Sequence, residues 1–305
     1  MSSDLSSRAA RPDEHTRQLQ QIGPLWQRDI RAAGERIKQI YLPLLAVAPK
    51  AGFAIEREVA YGAHARQVLD VYRPDGASNA PVVVFVHGGA FVRGSKDING
   101  EMYGNVLAWF ARHGCLGINV EYRLAPEASY PQGAHDVAAA CAWVARHAND
   151  HGGDPTRVCL VGHSAGGTHA ASYACDPALG HMGRNVRCMV LISARLRADV
   201  LPENPNAGGV RAYFGEDPRT HEARSPLTHA AFLDLPVFII NAEYENPLLD
   251  VYGLELAWRI GKARRVAPRH MTLADHNHVS IVAHINTAER CLGEQILDFF
   301  DATCR

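Results

Sequence analysis

The sequence predicts an α/β fold: a mostly parallel central sheet of about eight strands with helices on both faces, preceded by a helical segment. Three observations predict it. Beyond residue 50, short β-branched runs alternate with longer stretches of helical character. The central runs are nearly continuously apolar, as expected of strands covered on both faces. Before residue 47, apolar residues recur at helical rather than strand spacing.

Residues 1–15 offer nothing to bury and are expected to be unstructured. From about residue 16 to 46 the periodic positions are Ile22, Trp26, Ile30, Ile37 and Tyr41, with Pro24 and Gly34 dividing the segment into shorter helices. EREVAYG and QVLDVYRP then read as an opening antiparallel pair. The runs PVVVFVHGG, CLGINVEYR, RVCLVGHS, VRCMVLIS, PVFIINAE and APRHMTLADH follow as strands. Helices are expected over 99–113, 132–149, 165–176, 247–262 and 280–303. Residues 194–234, rich in Pro, Asn and Gly, read as an irregular excursion of the kind that shapes binding sites. No repeat or interdomain linker is evident, so residues 51–305 are expected to form one domain behind a helical segment at 16–50.

Composition narrows the function. The chain has 305 residues, 47% of them hydrophobic and 21% charged, and its 31 basic and 32 acidic side chains leave a net charge of −1. Without a basic block, neither nucleic acid nor an anionic membrane is an expected partner. The polar start lacks the apolar stretch of a secretory signal, and no run approaches the length needed to span a bilayer. Seven cysteines without paired spacing argue against a disulfide framework and for a reducing, cytoplasmic setting.

The chemistry centres on Gly162-His163-Ser164-Ala165-Gly166, which follows a strand and opens a helix. In that context the pattern G-x-S-x-G marks a sharp strand-to-helix turn that presents the serine hydroxyl at the sheet's carboxyl edge. The glycines remove Cβ atoms that would collide across the turn, and the helix amino terminus favours developing negative charge. Taken alone, the pentapeptide also fits a serine helix cap.

A serine nucleophile needs a base to take its proton and donors for the oxyanion it creates. His87-Gly88-Gly89-Ala90-Phe91 ends an apolar strand, and Gly88 and Gly89 can bring their backbone N–H groups close to a carbonyl oxygen. Ala165, next after the serine, supplies a third donor. His87 is expected to anchor this loop. After the last strand, His276, His278 and His284 are available as base, and between the first two the spacing gives no choice. His284 reads as a packing histidine of the final helix. The orienting acid should follow PVFIINA, where Glu243 and Glu245 are the candidates and Asp250 belongs to the next helix. No metal is expected, since no cysteine or acidic cluster completes a ligand set with the histidines.

As a set, HGGAF, EYRLAPEASYPQGAHD and GHSAGG resemble the hormone-sensitive-lipase type of α/β-hydrolase, and AEYENP with DHNHVS resembles the neighbouring arylformamidase and small-carboxylesterase branch. The likeness runs in order over roughly residues 55 to 303. It implies the α/β-hydrolase fold with an N-terminal helical cap. It implies Glu245, two residues before a proline, as the acid, and His278, directly before an apolar residue opening the last helix, as the base. Many relatives carry aspartate at the acid position, so glutamate is a departure that lengthens the arm.

The resulting expectation is a serine esterase that cleaves small or medium carboxylic esters through an acyl-enzyme, with Ser164, His278 and Glu245 as triad and Gly88, Gly89 and Ala165 as oxyanion hole. No cofactor is required. An arylformamide such as N-formylkynurenine is the alternative substrate class, and a non-catalytic ligand-binding role is the remote one. A homodimer is compatible with this reading. Arg123 and Glu127 are expected to satisfy one another or nearby backbone, and Asp136 to tether that region. Arg195 and Arg197 are either paired with acids or open to an anionic substrate.

Overall fold

A computed structural model describes residues 14–289 and 291–304, and the expectation for residues 1–13 lies outside them. The first helix, α1 (Glu14–Ile22), already includes Glu14 and His15, which fell within the stretch expected to be unstructured. A 3-10 turn over Gly23–Arg28 leads to α2 (Ile30–Ala46), where the Asp29 side chain caps the Ala32 N–H at 2.9 Å. Leu19, Ile22, Trp26, Ile37, Tyr41 and Leu45 face inward from these elements. Full burial of each large apolar side chain contributes about 1.5–3 kcal/mol, which docks the segment onto the rest of the chain.

The strands are β1 (Phe53–Ala60), β2 (Val68–Pro74), β3 (Ala80–Val86), β4 (Leu116–Val120), β5 (Gly153–His163), β6 (Cys188–Ile192), β7 (Val237–Tyr244) and β8 (Arg269–Asn277). They form one eight-stranded sheet in the order β1-β2-β4-β3-β5-β6-β7-β8. β1 and β2 pair antiparallel, as does β2 with β4, while the remaining pairs are parallel. The helices between them are α3 (Gly104–Arg112), α4 (Gln132–His147), α5 (Ala165–Cys175), α6 (Ala207–Phe214), α7 (His221–Arg224) and α8 (Leu249–Arg264), and α9 (Ser280–Ala283) and α10 (Cys291–Thr303) follow the last strand. Among the described residues no helix is long and apolar enough to cross a membrane.

Alternation along the strands divides the core into two layers. Val82, Val84 and Val86 meet Val137, Val144 and Ala170 of α4 and α5 on one face. Val83 and Phe85 meet Val106, Leu107 and Phe110 of α3 on the other, together with Ile296 and Phe300 of α10. β3 lies between β4 and β5, so the chain leaves its carboxyl end towards one side and returns from the other. Such a reversal of strand order opens a crevice at the carboxyl ends of the strands.

Two helix starts and one division depart from expectation for a backbone reason. α3 starts at Gly104 rather than 99 because Asn99, Gly100 and Tyr103 all take positive φ. α8 starts at Leu249 because Leu248 has φ 68°. The stretch expected as one helix over 280–303 is divided, since Asn286 at φ 71° turns the chain between α9 and α10.

Candidate active site

Ser164 stands where β5 ends and α5 begins, with φ 54° and ψ −118°. A residue with a Cβ takes such a backbone only under constraint from its surroundings. Crowding supplies the constraint. A Cβ on Gly162 would lie 2.6 Å from Gly167 Cα, and one on Gly166 would lie 2.2 Å from the Val86 carbonyl oxygen. The turn packs against β3 only because both positions are glycine. The Ser164 N–H donates to the Ile192 carbonyl at 3.0 Å, which ties the turn to β6 as well.

Two side chains from distant loops meet this hydroxyl in line. His278 Nε2 lies 3.0 Å from Ser164 Oγ, and His278 Nδ1 lies 2.8 Å from Glu245 Oε2. A carboxylate only accepts, so Nδ1 carries the proton and Nε2 turns its lone pair to the hydroxyl. Glu245 is almost fully buried and also accepts the Ala242 N–H at 3.0 Å. Burial works to raise its carboxyl, but the His278 imidazole and the Ala242 N–H outweigh that and hold it below the ordinary carboxylate range. The longer arm of glutamate thus reaches the imidazole at full hydrogen-bond contact.

The rival residues point elsewhere. Glu243 is exposed and accepts the Asp275 N–H at 2.7 Å, while Asp250 lies in the first turn of α8. His276 directs Nδ1 to Ser280 Oγ at 3.1 Å and Nε2 to Glu289 at 3.3 Å, away from Ser164. His284, fully buried, follows α9 rather than lying inside a long helix, and its Nδ1 donates to the Ser280 carbonyl.

The loop after β3 closes the other side. Gly88 packs so tightly that an added Cβ would lie 3.0 Å from Ser164 Cβ, and Gly89 has φ 151°, a backbone that favours glycine. Ala165 is the first residue of α5, so its N–H belongs to the unpaired end of that helix. His87 anchors the loop by hydrogen bonding: its Nδ1 donates to the Gly88 carbonyl at 2.7 Å and its Nε2 meets Glu121 at 3.0 Å.

Above Ser164 opens a cleft of about 980 Å³ lined by Trp26 and Ile30 from the N-terminal helices, Arg93 and Ile98 from the loop after β3, and Val279. The N-terminal segment also steadies the acid loop, a role no local pattern announced. Trp26 Nε1 donates to Asn246 Oδ1 at 3.1 Å, and Gln27 Nε2 donates to the Glu245 carbonyl at 3.2 Å. The periodicity at Trp26 showed only that its ring is buried.

The remaining charged candidates are structural. Arg123 pairs with Asp136 at 2.6 Å and not with Glu127, whose partner is His64. Arg195 is buried against Asp199 at 2.7 Å, and Arg197 is held by Glu222 and Glu255, so neither is open to an anionic substrate. Among the described residues, no group of three or more His, Cys, Asp and Glu side chains is disposed to hold a metal ion.

Comparison with known proteins places this geometry in context. The BD-FAE family model matches residues 69–189. Esterase LipC of Mycobacterium tuberculosis is 39% identical over 120 residues, which cover 39% of this chain and 29% of that protein. Carboxylesterase NlhH of the same organism is 38% identical over 120 residues, or 39% of this chain and 37% of the relative. The chain thus spans about a third of the length of the curated relatives it matches. Solved structures match far more of it. A hyperthermophilic esterase from the archaeon Pyrobaculum calidifontis is 25% identical, with a TM-score of 0.67 over 94% of this chain and 95% of that one. A bacterial heroin esterase shares the fold at 24% identity, with a TM-score of 0.68 over 91% and 92% of the two chains.

Proposed function

We propose that the chain is an α/β-hydrolase of the hormone-sensitive-lipase type that hydrolyses small or medium carboxylic esters through an acyl-enzyme, a reading supported by the BD-FAE match and the esterase relatives. The observation that carries the proposal is the hydrogen-bonded line from Ser164 Oγ through His278 to Glu245, standing at the floor of an open cleft.

In this reading His278 Nε2 takes the Ser164 proton as the hydroxyl attacks the ester carbonyl carbon. Glu245 holds the imidazole by Nδ1 and stabilises the imidazolium that forms. The N–H groups of Gly88, Gly89 and Ala165 receive the oxyanion; in another hydrolase, one such donor is worth on the order of 10²–10³ in rate. His278 then protonates the departing alcohol, and a water activated by the same nitrogen releases the acid and restores the serine. Residues 16–50 act as a cap over residues 51–305, the catalytic domain.

On the buried side of the nucleophile turn the helix α5 is packed by aromatic rings. Ala165 packs in one cluster with Phe91, Val210, Tyr213 and Phe214, and the Phe91 and Tyr213 rings stack at 4.9 Å. A cytoplasmic setting suits the cysteines at 115, 141, 159, 175 and 188, which are buried as small core residues.

The test is reaction with a fluorophosphonate probe and turnover of p-nitrophenyl acetate, each in wild type and in Ser164→Ala. The expected result is rapid labelling and turnover in the wild type, both lost in the variant at unchanged Tm. Labelling that persists without the serine hydroxyl, or a wild type inert to both reagents, would overturn the proposal.

A further inference from the structure

The turn that presents Ser164 carries a second imidazole, which the mechanism above does not use. His163 is 3% exposed, and its Nε2 lies 2.9 Å from the main-chain carbonyl oxygen of His278. A carbonyl oxygen only accepts, so Nε2 bears the proton. Burial holds the imidazole well below its ordinary pKa, so the ring is neutral and Nδ1 is a lone pair. The Tyr103 hydroxyl stands 3.2 Å from that lone pair and donates to it. One tautomer therefore sets the direction of both bonds.

The position of Tyr103 is itself constrained. It directly precedes α3 with φ 73°, a strained backbone for a residue with a large side chain. Its ring lies against Phe85, His87 and His163, with centroids 5.7, 5.8 and 5.8 Å away. A Cβ on Gly88 would come within 3.0 Å of its hydroxyl. Two residues on, Asn105 Nδ2 donates to the carbonyls of Val282 at 2.9 Å and Ile285 at 2.7 Å. The start of α3 thus grips the segment that carries His278 from two sides.

We infer that Tyr103 and His163 are positioning residues for the proposed hydrolysis: the Tyr103 hydroxyl fixes the His163 ring, and the His163 N–H fixes the His278 main chain so that its imidazole stays in reach of Ser164. The inference rests on the esterase reading. Its physical basis is that Glu245 orients the His278 ring only about the Nδ1 contact, while the ring's location follows its own backbone. Loss of the Tyr103 hydroxyl leaves His163 Nδ1 a buried acceptor without a donor, removes the second anchor of the ring and lets it rotate away from the His278 carbonyl. The bond to the His278 carbonyl then goes, and a displacement of about 1 Å at a reacting group costs on the order of 10² in rate.

The experiment is steady-state hydrolysis of p-nitrophenyl acetate by the full chain, with fluorophosphonate labelling rates in parallel. Tyr103→Phe is expected to lower kcat about 10- to 100-fold with KM within about twofold and Tm near wild type, and to slow labelling by the same factor. His163→Gln keeps one amide donor and one acceptor and should retain kcat within about threefold, whereas His163→Leu should match Tyr103→Phe. The double variant Tyr103→Phe/His163→Leu should fall no further than His163→Leu alone. An unchanged kcat in Tyr103→Phe, or a double variant that multiplies the two losses, would overturn the inference. Nitrogen NMR of the histidine-labelled protein tests the relay even if the esterase reading fails. The Nε2–H tautomer of His163 is expected, and the Nδ1–H tautomer would sink the relay by itself.

Discussion

The turn around Ser164 and the loop around His278 meet across 3.0 Å, yet they are held in place by different means. The turn is a local object. Its shape comes from Gly162 and Gly166, whose missing Cβ atoms let residues 162–167 fold against the end of β3. The loop is assembled from afar. His278 is fixed by Glu245, by the His163 ring and by its own N–H on the Tyr244 carbonyl, while Asn105 holds the chain that follows. The N-terminal segment adds Trp26 on Asn246 and Gln27 on the Glu245 carbonyl. A motif can encode the first kind of structure, but only a completed fold can supply the second.

The loop itself offers the sharpest contrast, because its two histidines stand two residues apart and face opposite ways. His278 looks to Ser164 and Glu245, and His276 to Ser280 and Glu289. His278→Ala should abolish fluorophosphonate labelling and lower kcat by on the order of 10⁴–10⁶. His276→Ala should label within a few-fold of wild type and instead lose about 1–2 kcal/mol of stability, through the buried hydrogen bonds it leaves unmade. A labelling defect in His276→Ala comparable to that of His278→Ala would erase the distinction.

The acid loop repeats the contrast with smaller consequences. Glu245→Gln should fold normally and lose on the order of 10³–10⁴ in kcat, since an amide at that place no longer enforces the Nδ1–H tautomer. Glu243→Gln should stay within about threefold, because its carboxylate serves only the exposed Asp275 N–H. Kinetics on purified variants of matched Tm decides it, and the reverse ranking would make Glu243 the orienting acid.

What was legible in the sequence follows the same line. Continuous apolar runs such as VVVFV gave the buried strands, and helical spacing at Ile22, Trp26, Ile37 and Tyr41 gave the inward face of the N-terminal helices. The glycines flanking Ser164 could be read because their effect is confined to a few residues. Spacing did not choose between His276 and His278 or between Glu243 and Glu245, since each side chain's direction depends on partners outside its own short motif, 33 residues away for the pair His278 and Glu245; the family likeness supplied that choice. Tyr103, Asn105 and Gln27 had no signal at all. Their sequence context is ordinary, and their contacts arise only where α3, the N-terminal segment and the loops after β7 and β8 converge. The division of the stretch 280–303 turns on Asn286 at φ 71°, a backbone that asparagine tolerates better than most residues but that its presence alone does not dictate.

Glu289 allows the finest division between the two halves of the loop. Its carboxylate gathers His15 at 2.9 Å, the Tyr41 hydroxyl at 2.9 Å and His276 at 3.3 Å, so it joins α1 and α2 to the end of β8. Burial pushes this carboxyl up, but the donors from His15 and His276 outweigh burial and leave it well below the usual range. A depressed carboxyl stabilises the fold above its unfolded pKa of about 4.3, and that contribution is lost as pH falls towards the folded value. Glu289→Gln should therefore cost about 1–2 kcal/mol at pH 7, since the carboxylate is partly exposed, and the gap in Tm to wild type should narrow as pH drops below about 4. Activity per folded molecule at pH 7 should stay within about threefold, because the carboxylate in contact with the His278 imidazole is Glu245 and not Glu289. A larger loss of kcat in Glu289→Gln would mean that the N-terminal helices and His278 share one support rather than two.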